Sequence, residues 1–305
     1  METNKIRAVV AVLATTFFWG LSFSSTKVLL TSLTAIQIAF FRLILASAVL
    51  GLVFFMSRSG RVSRSDLPRM LAGGVFGIFL YFILENNGLR FTTAGTGSLI
   101  IATIPVLNVL AGVFFFREKN SWAGWVGVTL SFLGAWLLIR SGSGGALSLA
   151  DMRGNLLVFG AACSWVVFTR INEPLMQKYN SLTINLYQSV AGMALLGLFI
   201  APAGVNTAQF TGNVLFNLAY LGIFCSAVAY FLYLYALKTL GSSAITCFLN
   251  LVPVFGVLGG AVILKEALGT GQILGGLVVI TGVTLVTMAG KPADKPKTIQ
   301  ATTEV

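Results

Sequence analysis

The sequence predicts an all-α integral membrane protein in which ten transmembrane helices form two inverted five-helix repeats. Three observations carry this reading. Composition comes first: 56% hydrophobic residues, only 10% charged residues and a mean hydropathy of +0.90 over 305 residues are incompatible with one water-soluble core. Second, uncharged runs recur at the ~20 residues a helix needs to cross the hydrocarbon. Third, "IPVLNVLAGVFFFREK" at 104–119 is echoed 148 residues later by "VPVFGVLGGAVILKEA" at 252–267.

The spans follow in order. Ala8 to Thr26 is the first, Thr34 to Met56, interrupted by Arg42, the second, and Met70 to Leu84 opens the third. Phe91 to Phe116 and Asn120 to Ile139 are the fourth and fifth, and Gly154 to Thr169 is the sixth. No charge lies between Lys178 and Lys238, and the turn-rich "APAGVNTAQFTGN" divides that stretch into span seven at 182–201 and span eight at 213–236. Thr239 to Leu264 and Ala267 to Gly290 complete the set. The glycine-rich "SGSGGALS" at 141–148 lacks the lysine of a phosphate-binding loop and follows no strand. It reads as a linker between a first repeat at 8–140 and a second at 153–288, and 291–305, with "KPADKPK", reads as a disordered cytoplasmic tail.

A net charge of +11 would suit a nucleic-acid partner only if Lys and Arg clustered on a soluble face, and here they sit between apolar spans. With the N-terminus inside, fourteen of them fall on the inner side, against Arg90, Arg140, Arg153 and Lys265 outside, with Lys27 and Arg42 within spans. This asymmetry fixes orientation. Both termini are expected in the cytoplasm, with the chain in the plasma (inner) membrane and the lipid bilayer as its surroundings. "NKIR" before the first span imitates a secretory signal, but no small-residue cleavage site follows, so it reads as an uncleaved helix. Cys163, Cys225 and Cys247 are odd in number and lie in spans, which argues for packing rather than disulfides. Without histidine or a carboxylate cluster there is little from which to build a metal site, a cofactor site or a catalytic triad.

At the constant offset of 148, Pro105/Pro253, Leu110/Leu258, Gly112/Gly260, Glu118/Glu266, Gly127/Gly275 and Gly134/Gly282 are identical. Arg117/Lys265 keeps charge, and Trp19 and Trp165 lie late in spans one and six. Because five is odd, the second copy enters the membrane upside down, which gives an inverted repeat about an axis in the membrane plane. Such halves exchange inward and outward arrangements at little cost, and that is the physical basis of alternating access.

These residues resemble the drug/metabolite transporter superfamily, and within it the ten-span transporters with two EamA domains. The likeness covers roughly 8–288 and rests on "FWG" in span one, "FFRLILA" in span two, "ENNGLRFTTAGTGSLIIATIPV" through spans three and four, "REK" and "KEA" after spans four and nine, and the spaced glycines of spans five and ten. The resemblance implies a basket of ten helices whose central cavity, lined mainly by spans 1, 3, 4, 6, 8 and 9, passes small organic solutes, often outward. It does not name the solute.

Pro105 and Pro253 fall near the middle of their runs, where each removes a backbone donor and frees the carbonyl of Ile101 or Leu249. In hydrocarbon such carbonyls need protein, water or solute partners, so the two prolines read as hinges or cavity walls, or as packed kinks. A charge within a span costs at least ~2.5–3.5 kcal/mol. Arg42 lies ~12 Å below the outer face and Glu85 ~6 Å below it, within reach of each other. They can pair, or Glu85 can meet a cationic group or carry a proton. Trp19, Trp165, Tyr230 and Tyr233, with Tyr233 at the repeat position of Glu85, supply aromatic candidates, and Asn86, Thr103 and Asn250 supply polar ones. Glu118 and Glu266 precede the next helix by a few residues, where a carboxylate suits a helix N-terminus.

The favoured function is therefore a secondary transporter, exporting a small organic metabolite such as an amino acid or related amphipathic compound. The alternative is a channel-like pore, and an intramembrane enzyme is disfavoured by the scarcity of acids, bases and metal ligands. The small-residue patterns "GGVFG" (73–77), "GVLGG" (256–260) and "GQILG" (271–275) seal the bundle internally or support a homodimer.

Overall fold

Described in the computed structural model are residues 2–57, 60, 62–117, 120–141, 149–200, 207–240 and 248–289. Glu118, Cys247, most of the expected linker and the expected tail lie outside them. Ten apolar helices follow in order: α1 (Glu2–Leu29), α2 (Ala35–Met56), α3 (Leu67–Leu89), α4 (Ala94–Phe116), α5 (Trp122–Ser141), α6 (Leu149–Lys178), α7 (Ser181–Ile200), α8 (built from Gly212–Ala219, Tyr220–Val228 and Ala229–Leu240), α9 (Val252–Ile263) and α10 (Thr270–Ala289). Eight contain a stretch long and apolar enough to cross a bilayer, and the apolar parts of α5 and α9 are shorter. The helices α1 and α6 extend well past the uncharged cores at 8–26 and 154–169, because polar residues at a helix end reach the headgroup region without cost.

Local chemistry sets several boundaries. Thr34 and Gln37 form a reciprocal capping box at the start of α2, with Thr34 N donating to Gln37 Oε1 at 2.8 Å. Thr93 caps α4 and Thr211 caps α8 through hydroxyl oxygens that accept from Thr96 N and Val214 N.

Each proline follows a break in its expected span. The helix α4 breaks at Ala102 and Thr103, and Pro105 stands in the first turn of the segment Ile104–Phe116. Pro253 stands in the first turn of α9. A first-turn residue has no intrahelical acceptor for its N–H, so proline loses nothing there.

Distortion of another kind falls in α3 and α8. Both widen into π-helix, over Val75–Leu80 and Tyr220–Val228, at corresponding places in the two repeats. Side chains reach carbonyls in these turns: Ser164 Oγ donates to Phe76 O at 2.7 Å, Trp19 Nε1 to Cys225 O at 2.9 Å and Ser226 Oγ to Leu221 O at 2.9 Å. In an apolar medium these bonds satisfy groups that the wider turn leaves open.

The packing obeys one exchange rule. Helix α1 packs on α8 and α9 as α6 packs on α3 and α4, and α2 packs on α8 as α7 packs on α3. Each of α2/α7, α4/α9 and α5/α10 meets its own counterpart. Swapping the halves thus returns these principal contacts, although α2 also packs on α3 and α1 on α4. The tightest of these pairs, α5 and α10, crosses on glycines: a Cβ on Gly127 would sit 2.6 Å from Gly282 O, and one on Gly134 2.5 Å from Val279 N. Valines 128, 279, 283 and 286 fill the seam. The glycines of "GGVFG" and "GVLGG" likewise face neighbours within the chain, Gly73 against Gln188 and Gly256 against Ser98.

The repeat also extends to backbone conformation. Arg117 (φ 57°) and Lys265 (φ 54°), the residues after the equivalent helices, are left-handed, a form usually left to glycine. Cys163 and Cys225 are free, and Cys225 Sγ donates to Phe18 O at 3.3 Å. Glu266 contacts a different helix from the one its spacing implied. Its carboxylate accepts from Ala94 N (2.9 Å) and Gly95 N (3.3 Å) at the start of α4 in the other repeat, while α10 is capped by its own Gln272.

Candidate functional site

A cavity of about 310 Å³ lies between the repeats. Of the residues singled out in the sequence, it is lined by Trp19, Arg42, Glu85, Pro105, Trp165, Tyr230, Tyr233, Asn250 and Pro253. Asn86 and Thr103 stand outside its wall: Asn86 Nδ2 donates to Ala35 O at 3.1 Å, and Thr103 Oγ1 donates to Ile100 O at 2.6 Å. Both are buried among helices, where polar side chains bond to backbone.

Two aromatic walls face the cavity, one between α1 and α8 and one between α6 and α3. In one, the Trp19 ring lies 5.3 Å from Tyr230 and 5.6 Å from Tyr233, and in the other Trp165 lies 5.1 Å from Tyr81 and 4.8 Å from Phe168. Their separations and tilts are those of favourable ring pairs.

Charge breaks the symmetry. Arg42, 6% exposed, donates Nε to Ser226 Oγ at 2.7 Å and lays its guanidinium 4.3 Å above the Phe82 ring. Glu85, 5% exposed, accepts from Tyr81 Oη at 2.9 Å. No ion pair joins Arg42 to Glu85 among the described residues, and neither the arginine Nη atoms nor Glu85 Oε2 has a hydrogen-bond partner there. Phe82 and Glu85 are three residues apart on α3, so the residue that supports the guanidinium and the carboxyl share one helical turn. The site therefore presents a guanidinium and a carboxyl group to one apolar chamber, each with unused hydrogen-bonding capacity.

Three contributors escaped the sequence reading. Tyr81 lies one turn before Glu85, a spacing that offered a usable signal. Phe82 has no such signal, because one phenylalanine among 24 carries no address. Asn172 lines the cavity with Oδ1 accepting from the buried Gln188 Nε2 at 2.8 Å, a partnership set by tertiary packing.

Cavity and packing symmetry together describe a solute-sized chamber between duplicated bundles. The model of the EamA-like transporter family matches this chain twice, over residues 6–140 and 152–288. The chain belongs to the EamA-like transporter family. As such it is a multi-span membrane transporter and not an enzyme. Relatives of this EamA-like protein include an uncharacterized transporter of Archaeoglobus fulgidus, 27% identical over 89% of this chain and 95% of its own. Another is the "probable terminal-alkyne amino-acid exporter" of Streptantibioticus cattleyicolor, 29% identical over 92% of this chain and 93% of its own. A solved crystal structure superposes with a TM-score of 0.67 over 93% of this chain and 99% of that one, at 17% identity, a likeness of fold alone.

Proposed function

We propose that this EamA-like transporter exports small amphipathic metabolites of the amino-acid class by alternating access of its two repeats, from the inner cell membrane and with both termini in the cytoplasm. The observation that carries the reading is the pair of buried, mutually unpaired charges in one aromatic-walled chamber. A buried charge without a partner costs several kcal/mol, so a solute that brings its own carboxylate to Arg42 and its own ammonium to Glu85 recovers that cost in both places. The solute's apolar part then lies between the Trp19 and Trp165 walls. The printed name of the Streptantibioticus relative supports the same class. No nucleotide-binding motif occurs in the sequence, so a gradient or exchange drives the movement.

Counterflow in proteoliposomes tests this. Unlabelled L-leucine inside the vesicle should accelerate uptake of labelled L-leucine, which a channel-like pore would not show. Isoamylamine and isocaproate, each lacking one charged end, should compete at least ten-fold more weakly. Arg42→Gln and Glu85→Gln should each reduce counterflow at least ten-fold. Equal competition by all three compounds would remove the two-charge reading, and absent counterflow would remove the transport of this solute.

A further inference from the structure

At the end of α1 opposite its N-terminus stands a polar cluster that the solute cavity does not use. Lys27 Nζ donates to Thr92 O in the turn between α3 and α4 and lies 3.8 Å from Glu266 Oε1. Glu266, just past α9, accepts from the first N–H groups of α4. Thr92 Oγ1 donates to Asn155 Oδ1 of α6 at 2.7 Å. One small network thus ties α1, the α3–α4 turn, α4 and α6 to the segment after α9. It crosses the boundary between repeats at every bond but one.

Two details show that the site is built rather than incidental. The left-handed Lys265 turns the chain back so that Glu266 N donates to Gly260 O at 3.0 Å, which aims the carboxylate inward over α9. Gly260 makes room for it, since a Cβ there would sit 2.4 Å from Glu266 Oε2.

Position gives the cluster its role. The cavity wall includes Glu173, Met176, Ser181 and Asn185 at the junction of α6 and α7, where Glu173 and Met176 are exposed. That junction is the cavity mouth. On α6, Asn155 in the cluster and Glu173 at the mouth are 18 residues apart, about 27 Å along a straight helix. On α1, Ser22 lines the cavity and Lys27 lies five residues beyond it, away from the mouth.

We propose that Lys27, Glu266 and the first turn of α4 form the closed gate of the pathway, on the membrane face opposite the cavity mouth. Opening that face requires breaking the Lys27 contacts and withdrawing Glu266 from α4. Both changes separate the repeats along the seam that a two-bundle exchange must part. This inference rests on the transport reading, but accessibility tests it without any transported solute.

In a background carrying Cys163→Ser, Cys225→Ser and Cys247→Ser, a Ser22→Cys probe is labelled by a membrane-impermeant methanethiosulfonate, applied separately to each face of oriented vesicles. Without a gate mutation, labelling should be rapid from the mouth face and slow from the Lys27 face. Lys27→Gln and Glu266→Gln should each raise the rate from the Lys27 face at least five-fold. Lys27→Gln leaves the cap on α4 in place, so it decides the matter if Glu266→Gln fails to fold. Unchanged labelling from the Lys27 face in a folded Lys27→Gln protein would overturn the gate, as would equal initial labelling from both faces. Counterflow failing while the gate mutations still change labelling would discard the solute and leave the gate standing.

Discussion

Tyr81 donates its phenolic hydrogen to Glu85 one turn later on α3, across 2.9 Å, and between them Phe82 supports the Arg42 guanidinium. One turn of helix thus organises both charges of the chamber. Among the described residues nothing of the kind occurs at the matching turn of α8, where Tyr233 takes the place of Glu85. The two halves share a frame and differ in the chemistry they present to a solute.

Tyr81→Phe tests that organisation. It removes the one hydrogen bond Glu85 receives among the described residues and keeps the ring packing on Trp165. A hydrogen bond to a charged group contributes about 1.5–3 kcal/mol, so the variant should melt several degrees lower in detergent. Adding Glu85→Gln to it should cost less than the two single losses combined. Additive losses would mean the two side chains do not act together.

The two tryptophans should separate by mechanism. Trp19 Nε1 holds the carbonyl of Cys225 in the π-helical turn of α8, whereas Trp165 only packs on Tyr81 and Phe168 among the described residues. Trp19→Phe should therefore lower stability by about 1 kcal/mol more than Trp165→Phe, read from unfolding midpoints. Trp165→Phe should act mainly on solute affinity.

Much of this was legible in the sequence because its causes are local or repeated. Hydropathy located ten helices, and the echo at an offset of 148 implied a frame that the contacts between α1 and α8 and between α6 and α3 now display. Trp19, Arg42 and Glu85 announced themselves as aromatic or charged groups inside apolar runs. What stayed hidden depends on backbone geometry and distant partners. The proline at 253 reads alike in mid-helix and in a first turn, because only the preceding residues' dihedral angles distinguish the two. The π-helical turns of α3 and α8 have no residue signature, and Glu266 reaches a helix 172 residues earlier that no local rule connects to it.

Pro253→Ala follows from the proline's first-turn position. In a first turn alanine restores an N–H that has no helical acceptor, so melting should change by less than about 1 kcal/mol. If the break before α9 flexes during transport, counterflow should fall several-fold with little loss of folded protein. Unchanged counterflow would remove the hinge role.

Acid should expose a separate tether between the N-terminal end of α3 and the C-terminal end of α6. The Asp66 carboxyl accepts from Tyr179 Oη at 2.8 Å and from Lys178 Nζ at 3.1 Å, and these bonds, with the lysine charge, hold it below the usual carboxylate range. A depressed carboxyl contributes stability that is complete above its ordinary value near ~4 and disappears as pH falls through the lower folded value. Asp66→Asn should thus melt below the unmodified protein at pH 6, with the gap closing below about pH 4. A gap independent of pH would assign the loss to something other than the charge.

Arg42→Lys discriminates geometry from charge. The arginine uses Nε for Ser226 and the flat face of its guanidinium for Phe82, leaving both Nη groups to the chamber. Lysine has one terminal nitrogen, which cannot hold Ser226, cover the ring and meet a carboxylate together. Leucine counterflow should therefore fall at least ten-fold in Arg42→Lys, close to the loss in Arg42→Gln, although positive charge is retained. Near-normal counterflow in the lysine variant would mean that a point charge suffices, and the planar support from Phe82 would then have no part in recognition.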